Sequence, residues 1–398
     1  IAKLPAVTAY LVAGILVGPY FIGAFGFEGL GFISMADVDK YSIISDVALG
    51  FIAFSIGNEF RLAQLKKTGK QATVIGIFQA VFATLLVDVV LIAVHFAMPD
   101  KLPLPAAIVL GAVASATAPA ATLMVVRQYK AKGPLTDILL PIVALDDAVG
   151  LVVFAVSFGV AKALISGHVD ILSVVVEPIL EVVLSLLLGL VMGLLFTFFE
   201  KFFHSKSKRL SMSVTFVFLT VALSMIKFEI FGIHIAFSSL LVCMMLGTIF
   251  CNICDFSEEL MDRVDRWTAP LFILFFVISG AELELSVFKD FAIVAIGLIY
   301  ILARSFGKYL GAYSSAKAVK CEKNIVKYLG ITLLPQAGVA LGMAIKAEQL
   351  GAEGAIVANI TLFGVLIYEL IGPMLTKISL LKAGEIKPEE KTSARAKN

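Results

Sequence analysis

The fold is decided by a stretch in the first half of the chain, residues 134–161, with the sequence PLTDILLPIVALDDAVGLVVFAVSFGVA. This stretch is long and apolar enough to cross a bilayer as one helix, because a crossing needs about 20 apolar residues. Counted from Pro134, Asp147 lies roughly 20 Å along the helix, near the middle of the membrane. Two adjacent carboxylates at that depth, Asp146 and Asp147, cannot face lipid and by default mark a functional pathway.

The rest of the chain repeats this apolar pattern. Of its 398 residues, 60% are hydrophobic and only 16% are charged, whereas soluble domains carry about 25% charged residues. This composition excludes a water-soluble globular domain and predicts an all-α polytopic membrane protein. We expect twelve spans, at residues 4–24, 41–58, 71–98, 103–127, 134–161, 170–200, 211–227, 232–250, 267–281, 286–314, 324–346 and 352–377. Because the chain starts at Ile1, at the edge of the first span, we also expect upstream residues that could add a thirteenth.

The basic residues are divided unevenly between the two sides of the membrane. When the loops are numbered alternately, 24 Lys and Arg residues fall on one side and 6 on the other. The richer side is the cytosol, which predicts a multi-pass protein of the cell membrane with a fixed orientation. The net charge of +2 gives no indication of nucleic-acid binding. Two bases, Arg304 and Lys308, belong to neither side because they lie inside the tenth span.

These two bases are candidate partners for buried acids. Lys308 is several turns from either end of its span, too deep to reach the interface comfortably. A buried lysine beside a carboxylate stays charged, and it loses its proton readily when a cation occupies that carboxylate. This arrangement predicts a proton-coupling device. Arg304, one turn away on the same face, is expected to form a structural ion pair with Glu369 of the last span.

Two further spans are interrupted by proline. Pro119 lies in the fourth span, and Pro335, followed by Gln336, lies in the eleventh. Either proline alone is equally consistent with a simple kink. However, the two spans run in opposite directions and lie seven spans apart, which predicts an inverted-topology repeat whose broken helices form a transporter's binding site. Freed carbonyls and the hydroxyls of Ser115 and Thr117 would supply oxygen ligands for a cation.

The repeat divides the chain into segments with separate tasks. We expect scaffold or dimerisation helices at 1–60 and a linker with further scaffold or dimerisation helices at 170–281. The two halves of a core repeat are expected at 71–161 and 286–377, followed by a polar cytosolic tail at 378–398.

Two weaker patterns concern surfaces. The GxxxG pairs Gly14/Gly18 and Gly189/Gly193 would let helices approach closely, which fits a homodimer. Residues 251–267 carry apolar side chains at helical intervals among charges. This segment is either an amphipathic helix on the cytosolic face or a solvated connector.

The chain resembles the monovalent cation/proton antiporter superfamily, in the branch that holds the electrogenic sodium/proton antiporters and the potassium-efflux antiporters. The likeness extends from residues 4–19 to residues 369–373. Its most specific part combines the adjacent aspartates Asp146 and Asp147 with a Gly-Lys-x-x-Gly motif at 307–311. Potassium-efflux relatives typically carry Gln-Asp at the acidic pair.

The resemblance implies the sodium/proton antiporter fold and a role for each residue of the motif. Asp147 would bind the cation, here Na⁺ as the bound metal ion, and Asp146 would pair with Lys308. Some sodium/proton relatives place an aspartate in the broken fourth span, where this chain has Ala118.

The sequence therefore predicts a secondary antiporter, not an enzyme, that exchanges Na⁺ or Li⁺ for H⁺ by alternating access. We expect the exchange to be electrogenic, to require no cofactor, and to serve sodium extrusion and pH homeostasis. A K⁺/H⁺ antiporter of the same fold is the nearest alternative. A passive channel is disfavoured because buried ion pairs and paired breaks favour alternating access. An intramembrane aspartyl protease needs aspartates brought together from separate helices, whereas Asp146 and Asp147 are adjacent on one.

Overall fold

The computed structural model describes residues 5–27, 29, 31–58, 60–166, 176–203, 205–226, 228–230, 233–254, 256–283 and 290–386. Fifteen helices lie in these ranges. The first seven are α1 (Ala6–Val17), α2 (Met35–Asp39), α3 (Ser42–Asn58), α4 (Leu62–Ala97), α5 (Leu104–Val113), α6 (Pro119–Gln128) and α7 (Pro134–Ser166). The others are α8 (Glu177–Glu200), α9 (Lys206–Ser224), α10 (Ser239–Ile253), α11 (Ser257–Glu282), α12 (Phe291–Ala318), α13 (Lys323–Thr332), α14 (Gly338–Ala347) and α15 (Ala352–Lys382).

Each predicted span has a helix, or a broken pair of helices, at its place in the chain. Six helices among the described residues are long and apolar enough to cross a membrane by length and composition alone. The prediction of an all-α membrane protein is confirmed. One local difference is an antiparallel hairpin of β1 (Phe228–Ile230) and β2 (Ile233–Ile235) at the predicted start of the eighth span. The helix of that span begins only at Ser239, where Ser238 caps it by accepting from the Leu241 N–H.

Both predicted breaks are present, and they touch. The fourth span is divided into α5 and α6, and the eleventh into α13 and α14. Ala118 is extended (φ −86°, ψ 102°) because the ring of the following Pro119 disfavours helical backbone before it. Pro119 then occupies the first turn of α6, where no intrahelical N–H is needed. The Ala118 N–H donates to the Pro335 carbonyl over 2.8 Å, so the two extended segments cross at this bond.

The long helices pack as two groups. Helices α4 to α7 and α12 to α15 surround the two breaks, with α4 against both α12 and α7. Helices α1, α3 and α8 to α11 form the second group, in which α10 lies between α3 and α8. The groups meet where α6 contacts α3 and α1, and where α1 contacts α15.

The segment 251–267 forms neither of the two structures expected for it. Residues from Ser257 onward belong to α11, which continues without interruption to Glu282. The charged residues of this segment that follow Ser257 therefore lie in the first turns of the ninth span, and the span is longer than its apolar part indicates.

The GxxxG pairs serve contacts within the chain. Gly189 and Gly193 lie against α10, where a Cβ would meet the backbone of Val242 and the side chain of Ile249. Gly14 and Gly18 lie in the same way against α11. These glycines therefore give no support to a homodimer, which stays a prediction.

The close packing of α3 against α10 predicts that a larger residue at their contact lowers the stability of the protein. A Cβ at Gly247 would overlap the Phe54 carbonyl oxygen, and backbone cannot move as a flexible side chain can. We expect Gly247→Ala to cost roughly 1–3 kcal/mol and to lower the apparent melting temperature in detergent. Gly342→Ala is the matched control, because a Cβ there has open space. Equal melting temperatures for the two variants would contradict this packing.

Candidate functional site

The centre of the site is a buried lysine whose three protons all have acceptors. Nζ of Lys308 lies 3.0 Å from Oδ2 of Asp146, and both side chains are fully buried. The same ammonium donates to the Ser115 carbonyl over 2.5 Å and to Oγ1 of Thr117 over 2.9 Å. Lysine has three donors and no acceptor, so its hydrogen-bonding capacity is used completely. Lys308 thereby joins α12 to α7 and to the break between α5 and α6.

The carboxylate of Asp146 is satisfied just as fully. Thr117 donates its hydroxyl proton to Oδ2 over 2.6 Å while it accepts from Lys308. The side-chain amide of Gln79, on α4, donates to Oδ1. Removal of one member of such a pair leaves an uncompensated buried charge, which is strongly unfavourable. The pair can therefore open only when another positive charge or a proton takes the place of the lysine.

Two glycines allow these helices to meet. Gly307 and Gly311 flank Lys308 on the face of α12 that touches α4. A Cβ at Gly307 would lie 3.0 Å from Cα of Ala83, and one at Gly311 would lie 2.9 Å from Cα of Gln79. The motif at 307–311 thus has a physical basis, because larger residues would push α12 away from α4.

Arg304 holds the two broken helices together. Its guanidinium donates to the carbonyls of Ala114 (Nε, 3.1 Å), Ala116 (Nη2, 2.6 Å) and Leu334 (Nη1, 2.8 Å). These carbonyls lie at and just beyond the carboxyl-terminal ends of α5 and α13, where the helix dipoles place partial negative charge. The arginine therefore satisfies unpaired backbone groups from both breaks at once.

The expected ion pair of Arg304 with Glu369 is wrong. The arginine uses its donors on the breaks, and its Cζ lies 4.4 Å from the ring centroid of Tyr368, on the same helix as Glu369. Oε2 of Glu369 is buried without a hydrogen-bond partner in the described part of the chain. The sequence predicted this pair because the two residues lie at similar depth in their spans. The guanidinium instead binds three carbonyls that the breaks leave without helical partners.

Gln336 links the second break to the first. Its amide nitrogen donates to the Val113 carbonyl and to the hydroxyl of Tyr300, each over 2.9 Å. Pro335 accepts from Ala118, as described above, and packs against Gly372 of α15. The sequence singled out Pro119, Pro335 and Gln336 as break residues, and the structure brings all three to the crossing.

Asp147 differs from its neighbour, because the described part of the chain provides no hydrogen bond or ion pair to its carboxylate. Its side chain is only 4% exposed, and Oδ1 is buried without a hydrogen-bond partner among the described residues. It borders a small cavity whose other lining residues are all apolar, and one of them, Pro119, is the first residue of α6. These lining residues are Ala53, Ile56, Pro119, Ala144, Leu240, Leu241 and Met244. The walls come from α3, α6, α7 and α10. Asp147 therefore lies where the two helix groups meet.

A larger cavity of about 1340 Å³ opens toward the side of the basic loops. Leu140 and Pro141 of α7 line it, facing Ala269 and Phe272 of α11. Leu140 precedes Asp147 by seven residues, or about 10 Å along the helix. The structure thus brings solvent on the side of the basic loops to within two helical turns of Asp147.

The hydroxyls expected to bind a cation are occupied by other groups. Ser115 Oγ donates to the Ala112 carbonyl over 2.6 Å, and Thr117 Oγ1 lies between Lys308 and Asp146. The residues that the sequence reading missed, Gln79 and Tyr300, are single polar groups in apolar spans. The feature of the sequence that could have identified them is their position deep within an apolar span.

Comparison with known proteins identifies the family. A family model described as "Sodium/hydrogen exchanger, transmembrane" matches residues 1–382. The chain belongs to this family. It is a multi-pass membrane protein and a transporter rather than an enzyme, so the aspartyl protease alternative is not supported.

Individual members of the sodium/hydrogen exchanger family are distant in sequence. The Na⁺/H⁺ antiporter NhaS4 of Synechocystis is 23% identical over 391 residues, which cover 94% of this chain and 91% of the relative. Two structures of the sodium proton antiporter MjNhaP1 from Methanocaldococcus jannaschii have the same fold. The structure at pH 8 gives a TM-score of 0.66 at 19% identity, covering 96% of this chain and 93% of the other. The electron-microscopy structure gives 0.74 at 16% identity, covering 97% and 94%.

The contacts of Arg304 predict its contribution to stability. In Arg304→Gln, the amide has only two N–H donors for the three carbonyls, so at least one carbonyl loses its donor, and an unsatisfied buried polar group costs about 1–3 kcal/mol. We expect the apparent melting temperature to fall by about 1–4 °C, because the unfolding entropy of a chain of this length is about 0.8 kcal/mol/K. Arg304→Lys keeps the charge but not the planar guanidinium. Its melting temperature should therefore lie between those of Arg304→Gln and the unmodified protein. A melting temperature of Arg304→Gln equal to that of the unmodified protein would contradict the assignment.

Proposed function

We propose that this protein exchanges Na⁺ for H⁺ across the cell membrane and that Asp147 is the site where the two ions alternate. One observation carries the assignment of the site: the buried carboxylate of Asp147 has no hydrogen-bond partner for Oδ1 among the described residues, and it lies beside a fully satisfied Asp146–Lys308 pair. A lone carboxylate in an apolar site must be neutralised by a proton or by a cation. Membership of the sodium/hydrogen exchanger family supports Na⁺ and H⁺ as the two ions.

The geometry suggests how cation binding is coupled to proton release. A Na⁺ ion that enters from the cytosolic cavity displaces the proton of Asp147 and draws the neighbouring carboxylate of Asp146 toward itself. Lys308 then loses its counter-charge and releases a proton. On the other side of the membrane the steps reverse. One cation exchanged for two protons makes the cycle electrogenic.

The break between α5 and α6 would complete the cation site. When Lys308 withdraws, Oγ1 of Thr117 and the carbonyl of Ser115 are freed as oxygen ligands. We therefore retain Thr117 and Ser115 as cation ligands, in a state in which the ion pair has opened. Hard cations such as Na⁺ favour oxygen ligands of this kind.

Alternating access would come from movement between the two helix groups. We propose that the group around the breaks moves as a core against the scaffold of α1, α3 and α8 to α11. Asp147 lies between the groups, so a shift of the core would transfer it from the cytosolic side to the external side. Li⁺ is a second expected substrate, and a homodimer is the expected assembly.

The role of Asp147 is tested by a neutral replacement. We expect Asp147→Asn in proteoliposomes to show no more Na⁺-dependent proton flux than empty vesicles, because the amide neither releases a proton nor carries a charge for the cation. A pH-sensitive dye records the flux. Asp100→Asn, in an exposed loop, is the matched control and should transport normally. Retained flux in Asp147→Asn would overturn the assignment.

The role of Lys308 is tested by charge movement. On a solid-supported membrane, we expect Lys308→Gln to lose the Na⁺-dependent current, because one of the two protons has no carrier. The double variant Asp146→Asn, Lys308→Gln removes both charges of the pair and guards against a folding defect. Lys101→Gln, in an external loop, serves as the control. A current of normal size in folded Lys308→Gln would exclude the lysine as an obligatory proton carrier.

The cation itself is tested with a panel. We expect Na⁺ and Li⁺ to dissipate an imposed pH gradient in vesicles and K⁺ to leave it intact. Dissipation by K⁺ alone would identify a K⁺/H⁺ antiporter of the same fold. Single-channel currents would identify a channel.

A further inference from the structure

The carboxyl-terminal end of α6 is tied to the second helix group by an ion pair outside the ion-binding centre. Nη1 of Arg127 lies 2.7 Å from Oδ1 of Asp265 on α11. Ser55, on α3, donates to the same oxygen over 3.3 Å. Three helices that belong to the two different groups therefore meet at one carboxylate.

A second contact lies one residue further along α6. Oε1 of Gln128 accepts from the backbone N–H of Ala6, the first residue of α1, over 2.9 Å. Arg127, Gln128, Asp265 and Ala6 all line the cytosolic cavity. The end of α6 is thus attached to the second group on the wall of the cavity that leads toward Asp147.

The other end of α6 borders the ion-binding centre. Pro119, its first residue, forms one wall of the cavity at Asp147, and Ile56 and Met244 of the second group form the opposite wall. The ten residues of α6 make a rod about 15 Å long. A rigid rod fixed at Arg127 fixes the distance of Pro119 from that opposite wall. The ion pair therefore bears on the site without touching it.

We propose that Arg127 and Asp265 form a latch that positions α6 against α11 and α3 in the cytosol-open conformation, and that this latch opens in each transport cycle. The proposal rests on the proposed exchange function, because a latch has a task only if the groups move. Arg127 and Asp265 are positioning residues and bind no ion themselves.

The exposure of the pair suits a contact that must break repeatedly. The side chain of Arg127 is 22% exposed and that of Asp265 is 31% exposed. Both charges can therefore be rehydrated when they separate, unlike the fully buried pair of Lys308 and Asp146. A pair of this kind shifts a two-state equilibrium by roughly two- to fivefold.

The test reverses the charges one at a time and then together. Arg127→Asp and Asp265→Arg each place like charges at the contact, while the double variant restores an opposite pair. Because the cytosol-open state becomes less populated, we expect each single change to raise the apparent KM for Na⁺ on the cytosolic side by about two- to fivefold. The apparent KM on the external side should fall, and the double variant should return both toward their original values. The neutral changes Arg127→Gln and Asp265→Asn replace the reversals if those do not fold.

A second readout does not depend on transport. A cysteine at Ala269, in the wall of the cytosolic cavity, is introduced after the four native cysteines are replaced. We expect the single changes to slow its modification by a membrane-impermeant thiol reagent from the cytosolic side, and the double variant to restore the rate. If the proposed function is wrong, the unmodified protein shows no Na⁺-dependent transport and no KM can be measured. The labelling rate of the introduced cysteine still reports whether the latch controls access to the cavity. Unchanged labelling in folded single variants, or no recovery in the double variant, would overturn the proposal.

Discussion

A positive charge without access to water needs every partner from the protein, and Lys308 obtains its three from Asp146, Thr117 and the Ser115 carbonyl. This one ammonium group joins α12 to α7 and fixes the position of the first break and the rotation of α7. Because α7 is held by Asp146, the neighbouring Asp147 points to a different face. That Asp147 finds no partner in the described ranges is therefore a consequence of the contacts that hold Asp146.

Arg304 supplies the corresponding constraint on the backbone. A helix interrupted within a membrane exposes carbonyls that no water can satisfy, so interruption is stable only where protein groups bind them. The guanidinium meets this need for both breaks, and Gln336 adds the Val113 carbonyl. Ala118 stands where some relatives have an aspartate, and its N–H bonds to Pro335. The crossing is thus built from main-chain groups, the two cationic side chains of Arg304 and Lys308, and the amide of Gln336.

The sequence alone allowed the prediction of the spans, the breaks and the charged centre, since each follows from a strong local rule. A bilayer sets the length of a helix, proline interrupts it, and charge within it is rare. What could not be predicted is which partner a long side chain selects. Arg304 was paired with Glu369 by depth, yet it binds carbonyls that become free only once the breaks form. Gln79 was overlooked because a single amide in an apolar span carries no pattern, and Arg127 and Asp265 meet only through tertiary packing.

The central claim is that Na⁺ displaces protons from Asp147 and, through Asp146, from Lys308. The most direct measurement is the number of protons released when Na⁺ binds to the purified protein in weakly buffered detergent solution, at a pH where the empty site holds both protons. The account predicts two protons per Na⁺ bound, falling to background in Asp147→Asn. Na⁺ binding that releases no proton would contradict it, and release of a single proton would remove Lys308 from the cycle.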